Sequence, residues 1–219
     1  MPDTGWNDDA LVRRIDMVDF LKEAEGIEQE VIWWRRHVHQ YPELLMDLPE
    51  TAAFVERELK NMGYEPEYIC QSGIVAVLDS QKPGKTLLLR ADMDALPIQE
   101  ANEVEYISRH EGIMHACGHD AHTAMLLGAA RVLSENKDRI PGTVRLLFQT
   151  DEEGSRGAER TIKEGGIQGA DAVFGTHIGT ILSKDIPSGT MVCTPGCCMA
   201  SFDKFVIRVK GNGCHGSTP

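Results

Sequence analysis

AMLLGAARVL, residues 124–133, is a long apolar run that is rich in alanine and leucine and poor in β-branched residues. That composition predicts a buried helix. Two short apolar runs precede it, at 74–78 and 86–89, and two follow it, at 143–148 and 172–174. Runs of this kind are typical of strands that are buried on both faces. The alternation of strands with helices therefore predicts an α/β domain, in which a mostly parallel sheet is flanked by helices.

Helical periodicity also marks the N-terminal part of the chain. Apolar residues recur at helical spacing across residues 8–40, in two successive stripes. Pro49 is placed to open the next helix and Gly63 to end it, since proline favours the first helical turn and glycine the position after the last. A short helix is also predicted at 159–164, before Gly165 and Gly166.

The link between the first two predicted strands carries a turn signal. Residues 81–85 read Gln-Lys-Pro-Gly-Lys, and a Pro-Gly pair favours a turn. We therefore predict that the runs 74–78 and 86–89 form a β-hairpin.

The character of the sequence changes after about residue 186. Turn-forming residues become frequent, and the apolar residues of 205–210, FVIRVK, indicate a half-exposed strand with period two. We interpret this run as the first strand of a second domain. The predicted organisation is residues 1–195 for the first domain and residues 196–219 for the incomplete start of the second.

Length and charge restrict the classes of function. A chain of 219 residues corresponds to one domain, or one and part of another. Its formal net charge of −12 and pI near 5.1 argue against a nucleic-acid binder, which needs a clustered basic face. No stretch approaches the roughly 20 apolar residues that span a bilayer, so no membrane partner is expected. The first residues, MPDTGWNDD, are the reverse of a secretory signal, and a cytoplasmic location is expected.

The six cysteines form no CxxC pair, which argues against a zinc finger. In a reducing compartment a core of this size needs no disulfides. The adjacent Cys197 and Cys198 raise the hypothesis of a redox protein, but a disulfide between vicinal cysteines is rarely free of strain.

Residues with metal-ligating chemistry are concentrated just before the predicted helix. Residues 114–122 read MHACGHDAH and hold three histidines, one cysteine and one aspartate. Thiolate and imidazole are preferred ligands of zinc and its neighbours, and Gly118 allows the backbone to turn so that Cys117 and His119 converge. The cluster therefore predicts a metal site.

Acidic residues and one further histidine follow the predicted strands. Asp92 and Asp94 come directly after the run 86–89, and two residues apart in extended chain they point the same way. Glu152 and Glu153 follow the run 143–148; adjacent side chains diverge, so one can bind metal while the other reaches a water. His177 follows the next strand in the same manner. Open α/β sheets place ligand sites at such strand ends.

A separate glycine-rich turn, residues 210–216, carries His215. It is a weak candidate for a phosphate loop, since no GK[ST] motif follows.

Six strings along the chain form an ordered set of motifs: RRHVHQYPEL (35–44), LRADMDALPI (89–98), HACGHDAH (115–122), FQTDEEG (148–154), FGTH (174–177) and GNGCHG (211–216). In combination and in this order they resemble the aminoacylase-like amidohydrolases, di-metal metallopeptidase relatives that include hippurate hydrolases and indole-acetyl-amino-acid hydrolases. The resemblance covers about residues 28–219 and implies a di-zinc-peptidase-like catalytic domain, followed by an α+β lid and dimerisation domain.

Position by position, the resemblance assigns a role to each candidate residue. It makes metal ligands of four residues: Cys117, His119, Glu153 and His177. Glu152 matches the general base, and Asp94 an acid that supports the site. Asp92 stands where the peptidase branch has a metal-binding histidine. His215 matches a lid histidine that approaches the scissile carbonyl, in related dimers from the other subunit.

The implied chemistry is hydrolysis of the amide bond of N-acyl amino acids. Two divalent ions (Zn, Mn, Co or Ni) would lower the pKa of a water, and Glu152 would take its proton. The thiolate of Cys117 distinguishes the acyl-amino-acid hydrolase branch from the carboxylate-bridged peptidase branch. The implied partners are a small N-acyl amino acid or dipeptide and, once the lid is complete, a second copy of the chain.

Departures from the family pattern keep alternatives open. Thr150 and Asp151 stand where the family usually has Pro-Ala, and the first 26 residues add an unassigned helix. Family members are nearly twice as long, and their last histidine ligand would lie beyond Pro219, so the chain is expected to be truncated. The alternatives are a dipeptidase or N-acetyl-diaminopimelate deacetylase of the same family, or an inactive metal-binding fragment.

Overall fold

The computed structural model describes residues 19–154, 156–179, 184–197, 200 and 205–217. It divides into two compact units, Met1–Gly179 and Thr180–Pro219. The domain boundary predicted at residue 195 stays a prediction.

The first unit is an α/β domain that follows the predicted alternation closely. Its helices are α1 (Phe20–Gly26), α2 (Glu28–Gln40), α3 (Pro49–Asn61), α4 (His119–Glu135) and α5 (Gly157–Lys163), and a short 3-10 turn spans Lys137–Arg139. Its strands are β1 (Glu67–Ile69), β2 (Gly73–Asp79), β3 (Thr86–Asp92), β4 (Thr143–Gln149) and β5 (Ala172–Gly175). Residues 1–18, which include the start of the predicted N-terminal helix, lie outside the described residues.

The five strands form one sheet in the order β1-β2-β4-β3-β5. β4, β3 and β5 run parallel, whereas β1 and β2 add antiparallel pairs at the other side. The predicted fold class, an α/β sheet flanked by helices, is confirmed, and the sheet is mixed. Its parallel part is the part that carries the candidate site.

The predicted hairpin is wrong, because β2 and β3 are not neighbours. β4 lies between them, pairing antiparallel with β2 and parallel with β3. The connection at residues 80–85 therefore crosses two strand spacings, about 10 Å, which six residues can span easily. The Pro-Gly pair reverses the chain as predicted, but a turn signal does not determine which strand is the neighbour.

The core lies between the sheet and the helices α2, α3 and α4. Fully buried side chains from each helix meet those of β4, among them Trp34, Leu59, Leu127 and Phe148. α4 is apolar around most of its circumference, which is why it reads as a continuous run rather than a stripe. Because α4 is packed in this core, its N-terminal end is held beside the edge of the sheet.

α4 begins at His119, five residues earlier than the apolar run suggested. Its N-cap is Gly118, whose φ of +91° lies in the left-handed region that glycine adopts freely. The first turn is polar but buried, so His119, Asp120 and His122 are helical residues fixed by the scaffold.

In the second unit, residues 205–210 contain no strand, in contrast to the prediction. The apolar side chains of Phe205, Val206, Ile207 and Val209 are all exposed. An alternating pattern is compatible with a strand, but a strand forms only where a neighbouring strand pairs with its backbone N–H and C=O groups.

Across the described residues, every helix is too short or too polar to cross a membrane.

Candidate metal centre

The parallel strands end at one edge of the sheet, and the candidate site lies there. Asp92 at the end of β3 is in register with Gln149 at the end of β4, and Gly175 of β5 with Arg90 of β3. Because parallel strands share this edge, the residues that follow them converge. The first unit brings together seven of the sequence-predicted residues: Asp92, Asp94, Cys117, His119, Glu152, Glu153 and His177.

The eighth, His215, lies in the second unit. There its Nδ1 is 2.8 Å from the Ser217 hydroxyl oxygen.

His119 is shared by every group of candidate ligands among the described residues. Three groups offer ligand atoms within 4.8 Å of one another: Cys117–His119–His177, His119–Glu152–Glu153 and Asp92–His119–His122. Because all three groups contain His119, they are overlapping parts of one centre around this residue and not three separate sites.

The His119 ring is oriented as a metal ligand. It is fully buried, and its Nδ1 lies 2.8 Å from the carbonyl oxygen of Asp94, which can only accept. Nδ1 therefore carries the proton and Nε2 is left with its lone pair, the arrangement that ligating histidines adopt.

Two buried acceptors near this point lack hydrogen-bond partners among the described residues. They are Nε2 of His119 and Oε1 of Glu153, which lie 3.9 Å apart. Burying such groups without partners is unfavourable, and a cation between them would satisfy both. The residues present therefore fit a metal ion.

The electrostatics of the centre point the same way. Burial, and then the carboxylates of Glu153 and Glu152, raise the pKa of Cys117 to about 12. Burial likewise raises the pKa of Glu153, against the opposing effects of Cys117 and His119. Burial alone would lower the pKa of His119, but hydrogen bonds and charge from Asp94 and Asp92 raise it. These shifts have one physical cause, which is the burial of carboxylate, thiol and imidazole groups against one another.

Asp94 fixes the turn that carries the two glutamates. Its carboxylate is fully buried, and its two oxygens accept the backbone N–H groups of Glu152 and Glu153, each at 3.0 Å. Both glutamate side chains reach the same point, since Glu152 Oε2 and Glu153 Oε1 lie 3.8 Å and 3.9 Å from Nε2 of His119. They differ in exposure, because the side chain of Glu152 is 42% exposed and that of Glu153 only 22%.

Asp92 and His122 are occupied by hydrogen bonds. Asp92 pairs with the Arg90 guanidinium through one oxygen and with Nδ1 of His122, at 2.6 Å, through the other. Burial would raise the pKa of Asp92, but His122 and Arg90 outweigh it and lower the pKa to about 2. These two residues therefore support the centre, although their side chains are of types that can bind metal.

Cys117 and His177 face each other across the centre. The Cys117 Sγ lies 3.4 Å from Nε2 of His177, and the His177 Nδ1 is hydrogen-bonded to the carbonyl oxygen of Ile178. Nε2 of His177 is therefore the unprotonated nitrogen, and it points at the thiol. The exposed position of His177 places this side of the centre toward solvent.

The loop that departs from the family pattern keeps both glutamates in place. Asp151 has a φ of +57°, a left-handed conformation that aspartate tolerates better than most residues. Its N–H donates to the carbonyl of Leu45, and its own carbonyl accepts from Gly157. The backbone on either side of the departure is thus held by ordinary hydrogen bonds.

Sequence reasoning missed the supporting roles of Arg90 and His122. The spacing of three residues places His119 and His122 on one face of a helix. This spacing is the sequence feature from which a role for His122 beside His119 could have been predicted. His115, also in the predicted cluster, is buried beyond these ligand groups, and burial lowers its pKa to about 4. Of the adjacent cysteines in the redox hypothesis, Cys198 lies outside the described residues.

Comparison with known proteins gives consistent matches to one group of enzymes. The model of peptidase family M20/M25/M40 matches residues 88–210. An N-acetyl-L-cysteine deacetylase of Bacillus subtilis is 45% identical over 195 residues, covering 88% of this chain and 46% of that protein. An N-acyl-L-amino acid amidohydrolase of Geobacillus stearothermophilus is 44% identical over 198 residues, covering 90% and 52% respectively.

A solved structure shows the same fold. It is that of a dinuclear metal-binding peptidase of Bacillus subtilis, with a TM-score of 0.69 and 36% identity, covering 72% of this chain and 45% of that one. The chain spans about half the length of the curated relatives it matches.

Proposed function

Since this chain belongs to peptidase family M20/M25/M40, we propose that it provides the metal-dependent catalytic centre of an amidohydrolase that cleaves N-acyl amino acids. Family membership confirms the resemblance inferred from the sequence. The observation that carries the proposal is the pair of buried, unpartnered acceptors His119 Nε2 and Glu153 Oε1, which lie 3.9 Å apart.

Four residues would hold metal: Cys117, His119, Glu153 and His177. Two divalent ions are proposed, because the similar solved peptidase is dinuclear. A thiolate, two imidazoles and a carboxylate suit zinc and also accept manganese, cobalt or nickel. When bound, the ions supply Lewis-acid polarisation of the amide carbonyl and lower the pKa of a water to about 7.

Glu152 is proposed as the general base. Its Oε2 lies 3.8 Å from Nε2 of His119, close to the centre, while its side chain is open to solvent. Asp94 fixes its backbone, so the carboxylate is held at the mouth of the centre where a water and an amide would meet. It would accept the proton of the attacking water and deliver it to the leaving amine.

His215 is proposed as the residue that stabilises the developing oxyanion, on the strength of the family motif alone. We further propose that residues 196–219 begin a lid domain through which two copies associate. A small N-acyl amino acid is the proposed substrate, and the thiolate ligand is the reason for preferring it to a dipeptide.

The test is hydrolysis of a panel of N-acetyl and N-benzoyl amino acids and dipeptides by the full chain, with added Zn²⁺ or Mn²⁺. We expect Glu152→Gln to lower turnover by about 10²–10⁴-fold, the usual contribution of a general base. Glu103→Gln, at an exposed glutamate away from the site, serves as the matched control.

Two results would contradict the proposal. Preference for dipeptides or for N-acetyl-diaminopimelate would assign a different activity within the family. Metal binding without hydrolysis of any substrate would favour the inactive fragment.

A further inference from the structure

His122 uses both of its ring nitrogens, and neither contact is with one of the four proposed metal ligands. Nδ1 lies 2.6 Å from Asp92 Oδ1, and Nε2 lies 2.9 Å from the backbone nitrogen of Ile178. An amide N–H can only donate, so Nε2 must be the unprotonated acceptor. Nδ1 therefore carries the proton and donates it to Asp92. The His122 side chain is 1% exposed, so water cannot replace these partners readily.

The residue whose backbone is held by His122, Ile178, is also the residue that holds His177. The Ile178 N–H donates to His122, and the Ile178 carbonyl accepts from Nδ1 of His177. The two rings are in edge-to-face contact, with centroids 4.6 Å apart and planes at 72°. His122 thus helps to fix the position, orientation and tautomer of His177 through the backbone of one residue, Ile178.

The Ile178 side chain packs against the turn at Gly118, which lies between the ligands Cys117 and His119. It packs so closely against Gly118 that a Cβ there would lie 2.5 Å from its Cδ1. Gly118 separates Cys117 from His119. The segment after β5 is consequently attached to the centre at two points, the Ile178 backbone and the Ile178 side chain.

We propose that His122 is a positioning residue for the metal ligand His177, acting through the backbone N–H and carbonyl of Ile178, and that Asp92 and Arg90 fix the ring of His122 for this purpose. The inference rests on the proposed function, in which His177 binds metal. It also assigns His122 and Asp92 outside the ligand set, although they lie within reach of His119.

Arg90 completes the chain of contacts. It lies on β3, donates from Nε to Gln149 at 3.1 Å, and pairs with Asp92 through the other side of its guanidinium. Asp92 is thereby kept as an ionised acceptor with a fixed orientation, which selects the Nδ1–H form of His122. The contacts run without a gap from the sheet to the loop that carries His177.

Two variants of the full chain separate the two contacts of His122. In His122→Gln the side-chain carbonyl can take the place of Nε2 and accept from Ile178. In His122→Asn the amide can donate to Asp92 in place of Nδ1, but it does not reach Ile178. His110→Asn is the matched control, at a histidine whose Nδ1 contacts the Pro42 carbonyl.

The readouts are Zn²⁺ affinity, by competition with a chelating dye, and the absorption spectrum of the Co²⁺-substituted protein. We expect His122→Asn to weaken Zn²⁺ binding by about 10–100-fold, as loss of a ligand-supporting contact commonly does. Its Co²⁺ spectrum should change as His177 leaves, while the thiolate-to-cobalt band from Cys117 persists. His122→Gln should retain affinity and spectrum close to those of the unmodified chain.

The unmodified chain provides a test that needs no substitution. With ¹⁵N-labelled histidine, NMR should show His122 protonated at Nδ1 and unprotonated at Nε2. Added Zn²⁺ should move the Nε2 signals of His119 and His177 into the metal-bound range and leave those of His122 outside it.

Three outcomes would overturn the inference: a His122 nitrogen bound to zinc, unchanged Zn²⁺ affinity in His122→Asn, or equal losses in the Asn and Gln variants. Failure of the unmodified chain to bind Zn²⁺ is a different result, since it would overturn the metal centre itself.

Discussion

The Asp94 carboxylate accepts a hydrogen bond from the backbone N–H of Glu152 at 3.0 Å. Its second oxygen makes the same contact with the next residue, Glu153, so one buried acid fixes the backbone of both the proposed base and a proposed ligand. In the proposed site Asp94 is neither the base nor a metal ligand. Its contribution is the fixed relation between the two glutamates.

Replacing Asp94 with asparagine therefore tests that relation. An amide has one accepting oxygen, so one of the two N–H groups would face an NH₂ group and lose its partner. We expect a loss of stability of about 1–3 kcal/mol. We also expect a clear fall in kcat, with a smaller change in KM, because the base is displaced.

The measurements are urea unfolding and steady-state hydrolysis of an N-acyl amino acid. Asp138→Asn, at an exposed aspartate, is the control for the substitution itself. Unchanged kcat in Asp94→Asn would show that the glutamate turn is held by other contacts.

Much of the site could be predicted from the sequence because of where parallel strands end. Acidic residues directly after apolar runs, such as Asp92 and Glu152, must emerge at the same sheet edge. The ends of strands are visible in a single sequence as the point where apolar residues stop. Convergence of those residues then follows from the parallel topology.

Other features depend on tertiary contacts that local patterns do not encode. β2 lies between β1 and β4 and not beside β3, since strand order is set by how the whole sheet packs. The start of α4 is hidden because its first turn is polar, although it is buried. The role of His122 depends on Ile178, which is 56 residues away in the chain.

Gly118→Ala is expected to weaken metal binding as well as stability. The φ of +91° disfavours any residue with a Cβ by about 1–2 kcal/mol. The new Cβ would also press on Ile178, and so displace the segment that carries His177. Thermal unfolding and Zn²⁺ titration measure the two effects.

Gly112→Ala is the matched control for this substitution. Gly112 also has a positive φ, +74°, but a Cβ there would meet nothing within 4 Å. It should reproduce the backbone strain and leave Zn²⁺ affinity unchanged. Equal Zn²⁺ affinity in the two variants would show that the contact between Gly118 and Ile178 is unimportant for the centre.

Metal should stabilise the chain against unfolding, and chelation should reverse the effect. A ligand present at 100 times its dissociation constant stabilises a folded state by about 2.7 kcal/mol. We expect a rise in the unfolding midpoint with Zn²⁺ and its loss with EDTA. In Cys117→Ala most of the rise should disappear, while Cys193→Ala, at an exposed cysteine, should keep it. An equal response to Zn²⁺ in both variants would exclude Cys117 from the ligand set.

A buried histidine outside the proposed ligand set should make stability depend on pH. His39 of α2 lies between two carboxylates, with Nδ1 2.8 Å from Asp120 and Nε2 3.0 Å from Glu100. Burial alone would lower its pKa, but the hydrogen bonds to Asp120 and Glu100 outweigh burial and raise the pKa above 6.5. The two carboxylates therefore favour the charged form of this imidazole, which ties α2 to the first turn of α4.

The direction of the pH dependence follows from whether the folded or the unfolded state binds the His39 proton more tightly. Since the pKa of His39 is higher in the folded state, its contribution to stability is fully present below about pH 6.5 and is lost as the pH rises through the folded-state value. We expect the urea midpoint to fall over that alkaline range, and the fall to become smaller in His39→Gln, which has no proton to lose. Urea unfolding at a series of pH values above 6.5, with the slope of each transition held to its neutral-pH value, makes the measurement. His110→Gln, outside the network, controls for loss of a histidine. An identical pH dependence in His39→Gln and the unmodified chain would mean that His39 is not charged between its two carboxylates.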